Sequence, residues 1–394
     1  MSENNEYRNS IIQGNCINAL RNVQDRSVNM IYLDPPFFTQ KKHSLVDSER
    51  QKEYSFEDKY ESLDEYLSMM SNALFQCKRV LCDNGSIFLH CDKTASHHLR
   101  LVLDNVFGRQ NFVNEIIWTY KRWSNSKVGL QNAHQVIFFY SRNSTFKFNK
   151  LFTDYSVTTN IDQILQERKR DEFGKSVYKT DKDGFVVKAI SKKGVPVSDV
   201  WDIPFLNPKA KERCGYPTQK PVELLKKIIL ISTDEGDLVL DPFCGSGTTC
   251  VAAKSLNRDY MGIDISPDAV SLSNKRLQKM IITESQLLKK GKNHYIEKKE
   301  EEIALLKSID AIPVQRNSLV DGYLKDGLTP VIIQRDNDDS HSLQDRITKF
   351  YKKQQCSRII VIQTQNAKID LYLESCTISI IQTLIVQLSE NEIR

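Results

Sequence analysis

The chain has 394 residues, an ordinary globular apolar share of 40% and a net charge of +5, enough for one large catalytic domain with one or two smaller ones. Its longest apolar run is too short to span a bilayer, and the polar start MSENNEYRNS does not read as a signal peptide, so no membrane partner and a cytoplasmic location are expected. Nine cysteines fall without any C-x-x-C pair, which argues against zinc and disulfide scaffolds and for reduced thiols.

Taken in chain order, near-continuous apolar runs predict strands at SVNMIYLD (27–34), GSIFLHCD (85–92), HQVIFFYSR (134–142), DLVLD (237–241) and RDYMGID (258–264). Runs of this kind suit strands covered on both faces, hence a parallel-rich sheet flanked by helices. Residues 146 to about 200 change character, with ERKR, spaced lysines and turns at DKDG and SKKG, and read as an inserted basic module. Pro221 then opens a helix with Leu224, Leu225, Ile228, Ile229 and Ile231 on its apolar side and Lys226 and Lys227 opposite. After a Gly-rich turn, the small residues of TTCVAAKSL allow a helix to pack close to the sheet. From about 285 the charged run LLKKGKNHYIEKKEEE reads as a solvated helix or linker. Beyond it, PVIIQ, RIIVIQT and LYLESCTISI predict strands, and SLQDRITKFYKK a helix. The expected fold is α/β, a doubly wound and mostly parallel Rossmann-like sheet. Its expected divisions are 1–145, the insert 146–204, a second half 205–284, and a linker with a small C-terminal α/β domain, 285–394.

Two of the predicted strands end alike. MIYLDPPFF places Asp34 where a carboxylate at the carboxyl end of a sheet strand faces the ligand crevice. Pro35 and Pro36 remove backbone donors and stiffen the chain, so a carbonyl is presented as an acceptor with little freedom to turn away. An acceptor-only pair suits an exocyclic amino group of a base: gripping its hydrogens localises a lone pair otherwise spread into the ring. Phe37 offers a face for that base, worth ~1–3 kcal/mol. A strand followed by a Pro turn and a surface acid is the alternative. Downstream, LVLDPFCGSG ends a strand at Asp241 and turns through Gly245, Ser246 and Gly247; glycines there permit a tight turn and close approach of a ligand to the backbone. Cys250 holds the place of the third glycine of the dinucleotide fingerprint, and the next strand ends at Asp264, the spacing at which an acid meets ribose hydroxyls. Such a turn, lacking the full phosphate fingerprint and a P-loop lysine, suits a nucleoside without phosphates, of which S-adenosylmethionine is one. A purely structural Gly-rich turn is the alternative.

Together the motifs resemble the amino-methylating DNA methyltransferases of the beta class, in which the catalytic motif precedes the cofactor motif. The likeness covers roughly residues 9 to 280 and rests on GNCINALRNVQDRSVNMIYLDPPF, NVFGRQNFVNEIIWTYKRW, HQVIFFYSR, PTQKPVELLKKII, DLVLDPFCGSGTTCVAA and RDYMGIDIS, in that order. It implies a methyltransferase sheet, a catalytic set of Asp34, Pro35, Pro36 and Phe37, and base flipping before direct in-line transfer to adenine N6 in duplex DNA. It also implies a cofactor site of Asn15, Asp34, Thr218, Lys220, Asp241, Phe243, Gly245, Gly247 and Asp264, with Thr218 and Lys220 near the methionine carboxylate. Asn15 is a departure: the family usually has an acid there, and an amide oxygen would have to accept from the cofactor's adenine.

The insert becomes the target-recognition region under this reading, and Arg122, Lys147, Lys150, Arg168, Lys169 and Arg170 are candidate DNA contacts, making binding sensitive to salt. A solvated charged face is the alternative for each. Trp123 is equally a core residue. Cytosine N4 is the competing target, although that group more often has Ser before the two prolines; a non-catalytic DNA-binding subunit is the competing class. Further partners to consider are a second copy of the chain and a cognate restriction endonuclease. In the C-terminal region, Asp321 ahead of a strand ending in Gln334 faintly resembles a degenerate nuclease core, but Asp336 stands where a lysine is expected; a structural role in gripping DNA or in self-association ranks above cleavage.

Overall fold

The structure is a computed structural model describing residues 7–46, 53–120, 128–153, 165–188, 194–207, 210–284, 298–315, 317–335, 338–365 and 368–383. It divides into two units, Met1–Lys289 and Lys290–Arg394. Among the described residues no helix is long and apolar enough to cross a membrane.

The first unit runs β1 (Ser10–Gln13), α1 (Cys16–Arg21), β2 (Val28–Leu33), β3 (Lys41–Val46), β4 (Glu53–Asp58), α2 (Leu63–Val80), β5 (Leu81–Cys91), α3 (Ser96–Phe107), β6 (Phe112–Thr119) and β7 (His134–Ser141). It continues through β8 (Phe152–Thr153), β9 (Arg168–Arg170), β10 (Ser176–Tyr178), β11 (Val195–Pro196), β12 (Val200–Asp202), α4 (Val222–Ser232), β13 (Leu238–Asp241), α5 (Thr248–Ser255), β14 (Asp259–Asp264) and α6 (Pro267–Gln278). Eight strands form one sheet in the order β1-β14-β13-β2-β5-β7-β6-β12. All neighbours are parallel except at β7, which is antiparallel to both β5 and β6.

Both faces are covered, as near-continuous apolar strands require. In β2, Ile31 and Leu33 enter one core with Tyr66, Met70 and Leu74 of α2 and Leu99 and Leu103 of α3. Met30 and Tyr32 enter the other with Leu225 and Ile228 of α4 and Val251 of α5. One strand thus serves two cores at period two. The helices start where side chains can cap them: Ser62 Oγ accepts from Glu65 N–H ahead of α2, and Ser266 followed by Pro267 opens α6.

Parts of the stretch 146–204 dock on the main sheet. β12 pairs with β6 at the edge of the main sheet, and Asn149 donates its backbone N–H to Ile231 O (2.7 Å) and its amide to Thr233 O (2.9 Å). What stands apart is a small meander: β9 and β10 pair antiparallel, and single bridges join Gln166 to Lys188 and Thr180 to Val186. Its two turns are built alike. Asp171 Oδ1 accepts from the N–H groups of Phe173 and Lys175, and Asp181 Oδ1 from those of Asp183 and Phe185, leaving Phe173 87% and Phe185 72% exposed.

The second unit carries α7 (Glu300–Ser308), β15 (Ile312–Pro313), β16 (Gly322–Tyr323), β17 (Pro330–Ile333), α8 (Ser340–Lys353), β18 (Arg358–Gln363) and β19 (Thr377–Gln382). Its sheet follows chain order, antiparallel through β17 and parallel from β17 to β19. Leu343, Ile347 and Phe350 of α8 cover Ile332, Ile359 and Val361, while Leu306 of α7 packs with Val331, Ile333, Ile360 and Ile362. The strand expected across LYLESCTISI begins only at Thr377, because a turn with Ser375 at φ +61° precedes it. Most of the charged run, 285–297, and Asp336 lie outside the described residues. Asp321 is fully buried and takes Lys298 Nζ (2.6 Å), Arg335 Nη2 (2.7 Å), Ile333 N–H (2.7 Å) and Arg346 Nη2.

Candidate active site

The two look-alike strand ends are neighbours. Met30 pairs with Val239 and Ile31 with Leu240, so Asp34 and Asp241 leave the same edge of the sheet side by side. From this seam the sheet proceeds one way to β5 and the other way to β14, and a reversal of that kind opens a crevice beyond the carboxyl ends of the strands. The crevice is a cavity of about 520 Å³, within the usual range for small-molecule sites. Of the residues expected from the sequence, Asn15, Asp34, Pro35, Pro36, Phe37, Thr218, Lys220, Asp241, Phe243, Gly245 and Asp264 line it.

The two aromatics after the prolines part company. Phe38 adopts φ +57° and stacks on Tyr66 of α2, ring centroids 5.5 Å apart, joining the core. Phe37 stays on the cavity, 5.8 Å from the His90 ring and 5.2 Å from Lys220 Nζ.

Lys220 Nζ donates to Asp34 Oδ2; the two side chains are 6% and 18% exposed. Asp34 Oδ1 is buried without a hydrogen-bond partner, 3.8 Å from His90 Nδ1. His90 itself is committed, with Tyr32 OH 2.7 Å from Nδ1 and Gln135 Oε1 3.0 Å from Nε2. The network assigns the proton to Nε2 and has Nδ1 accept from the tyrosine. Burial, and then the Lys220 charge, push His90 well below its ordinary range, so it faces Asp34 as a neutral ring. Burial raises the Asp34 carboxyl, while the charge and the hydrogen bond of Lys220 lower it.

The loop that supplies Lys220 is strained and pinned. Thr218 sits at φ +62°, a region that costs a β-branched residue on the order of 1–3 kcal/mol. Gln219 holds it in place, accepting from Cys214 N–H (2.9 Å) and donating to Glu212 O (2.9 Å).

On the other side, the turn after β13 needs its glycines. Gly247 has φ +72° and caps α5, and a Cβ there would lie 2.7 Å from Ser273 Oγ of α6. Gly245 has φ +50°, and a Cβ there would meet the Tyr216 ring at 3.1 Å. Asp264 braces this turn: Oδ2 accepts from Gly245 N–H (2.8 Å) and Oδ1 from Ser266 N–H (2.9 Å). Asp241 is likewise a brace, accepting from Phe243 N–H (3.1 Å) and the Thr249 hydroxyl (2.5 Å). Its carboxyl is pushed up to about 7, chiefly by burial, with its two hydrogen bonds opposing and the Asp34 and Asp264 charges adding.

Asn15 Oδ1 caps α1, accepting from Ile17 and Asn18 N–H at 3.0 and 3.3 Å, so its amide oxygen already has work at the cavity wall. Lys220 is engaged by Asp34. Gly247 lies behind the lining, against α6. Lys147 bonds Asp234 (2.9 Å) and Asp237 (2.5 Å), just before β13 begins and so at the end of the strands opposite the cavity, where it ties the chain to the core. Lys150 follows the docked Asn149 and is exposed. Arg168, Lys169 and Arg170 form β9, exposed on the meander, with Arg168 over the Tyr178 ring at 4.7 Å. Arg122 and Trp123 lie outside the described residues. Sequence reading passed over Tyr32, His90 and Gln135. The available signal was a histidine inside an otherwise apolar strand, GSIFLHCD.

The chain matches the DNA methylase family N6_N4_Mtase over residues 28–275. It is 30% identical over 267 residues to Type II methyltransferase M.HpaI of Haemophilus parainfluenzae, covering 68% of this chain and 73% of the relative. It is 28% identical over 293 residues to Type II methyltransferase M.HinfI of Haemophilus influenzae, 71% of each chain. Among solved structures it resembles the M1.HpyAVI–SAM complex with a TM-score of 0.43 and 18% identity, covering 68% of this chain and 98% of that one.

Proposed function

This chain belongs to the N6_N4_Mtase family of DNA methylases, and from that premise we propose that it transfers the methyl group of S-adenosylmethionine to adenine N6 in duplex DNA. The observation that carries the reading is the seam between β2 and β13, which sets the acceptor segment Asp34-Pro35-Pro36-Phe37 against the Gly-rich turn in one cavity. The cavity fits the cofactor in kind. It joins a turn left open by Gly245 to the braced acid Asp264 at the end of the neighbouring strand.

Bound there, S-adenosylmethionine supplies an electrophilic methyl on a sulfonium sulfur. The chain's own residues prepare the acceptor. Asp34 and the Pro35 carbonyl take the two amino hydrogens, and Phe37 stacks on the flipped base. The amino lone pair forms the new N–C bond as the C–S pair returns to sulfur, leaving a thioether; one amino proton passes to Asp34 and then to water. No covalent enzyme intermediate is required, and the cavity-lining cysteines Cys16 and Cys244 are buried with thiols raised by burial, which suits packing. Exposed Arg168, Lys169 and Arg170 support the meander as part of the DNA-holding surface. The Type II names of both relatives support a modification role beside a cognate endonuclease, in the cytoplasm.

The test is transfer of labelled methyl to duplex DNA followed by nucleoside analysis. Label should appear as N6-methyladenine, and Asp34→Ala should lower the rate by on the order of 100-fold or more. N4-methylcytosine without N6-methyladenine would move the target to cytosine. Equal inactivity of both proteins with DNA binding intact would leave a non-catalytic binder.

A further inference from the structure

We infer that Lys220 is a positioning residue for methyl transfer: its ammonium holds Asp34 as an oriented carboxylate, so that the acceptor clamp exists only while the Lys220–Asp34 pair does. This rests on the methyltransferase reading above and adds to it a role that the family likeness does not imply, since that likeness places Lys220 near the cofactor's carboxylate.

The argument is an account of what surrounds Asp34. An ionised carboxylate removed from water needs donors or opposite charge. Oδ1 has neither: it is buried and unpartnered, and His90, 3.8 Å away, is neutral and turned to Tyr32 and Gln135. Oδ2 has Lys220. Among the described residues, the other titratable groups coupled to the acid supply no compensating charge. Asp241 on β13 adds a repulsion when it is ionised, whereas Tyr32 on β2, Cys91 on β5 and Tyr216 in the loop before α4 are pushed up by burial and stay neutral beside it. Lys220 alone opposes the burial, which still leaves the carboxyl raised above its ordinary range. Because Oδ1 is buried on the His90 side, Oδ2 is the oxygen that Asp34 can present to the cavity, and Lys220 fixes where it lies. The strained Thr218 and the pinned Gln219 hold that lysine in place.

A protonated Asp34 would bring a hydroxyl to the amino group and lose acceptor strength, so transfer fails as pH falls through the titration of this acid. The experiment compares single-turnover methyl transfer against pH for the full-length wild type, Lys220→Met, Lys220→Gln and Lys220→Arg. It is paired with calorimetric binding of S-adenosylhomocysteine, which needs no turnover. Lys220→Met and Lys220→Gln should move the acid limb upward by about one to three pH units, the shift an adjacent opposite charge produces. Lys220→Arg should restore the wild-type limb, and binding of the thioether should change by less than tenfold. The inference is overturned if the limb stays in place while thioether affinity falls more than tenfold, since Lys220 would then serve the cofactor alone. It is equally overturned if all three variants lose activity with unmoved limbs and lowered melting temperatures, since the lysine would then be structural. Failure of the wild type itself to transfer methyl would count against the methyltransferase reading, a result distinct from either.

Discussion

At the scale of single residues, the two acids that look alike in sequence do different work. Asp34 ends on a cavity with one oxygen unpartnered; Asp241 has both oxygens spent on Phe243 and Thr249. The second arrangement has a consequence for stability. Asp241 titrates at about 7 when folded and near 3.9 when unfolded. Below the unfolded value both states hold the proton and its contribution is fully present. As pH rises toward 7 the unfolded chain releases a proton that the folded chain keeps, so stability falls through that window and levels above it. Asp241→Asn has no such proton to lose. Its melting temperature should fall less than that of the wild type between pH 4 and pH 7, and parallel curves for the two proteins would show that the acid does not carry this dependence.

Among the elements, the meander 166–188 and the strap at 147–150 share a basic composition but not a placement. Arg168, Lys169 and Arg170 are exposed on β9, whereas Lys147 is locked to Asp234 and Asp237. Replacing the first three by alanine should weaken DNA binding at low salt and reduce the slope of log affinity against log salt by up to about one for each phosphate no longer neutralised. Lys147→Ala should leave that slope alone and lower the melting temperature; a salt slope reduced by Lys147→Ala would make it a DNA-binding residue. The difference was not legible in the sequence, because composition reports charge and only the fold reports which acids stand nearby. The strands were legible: uninterrupted apolar runs such as MIYL and LVL have few other ways to be buried, and their pairing followed from both ending in an acid at a turn. The positions of β7 and β12 were not, since strand direction depends on crossover connections that the runs themselves do not encode. His90 was hidden for a related reason. Its value lies in Tyr32 and Gln135, which only register brings to it.

For the molecule as a whole, two units with separate apolar cores should respond separately to damage. Asp321 is the place to test this, because three cations and a backbone N–H converge on its buried carboxylate. Asp321→Ala leaves those cations facing one another and should destabilise its own unit by about 3–5 kcal/mol, a fall on the order of 10 °C or more for a domain of this size. Calorimetry of the full chain should show one transition lowered and that of the methylase unit unmoved; a common shift would mean that the units unfold together. The same convergence supports a structural reading of this unit over the nuclease likeness, since Asp321 already has four donors within the fold.

The seam at the middle of the large sheet reaches further than the cavity it creates. Its two strands come from positions about two hundred residues apart, and the acceptor segment follows one while the Gly-rich turn follows the other. During synthesis the first half of the site therefore waits on the ribosome for the second, and no methylation chemistry is available until β14 has emerged. A backbone break in the meander between them would leave two fragments, each with half a cavity and no activity, whose reunion would be reported by methyl marks on DNA. The molecule has the layout of a split reporter whose readout is written on DNA.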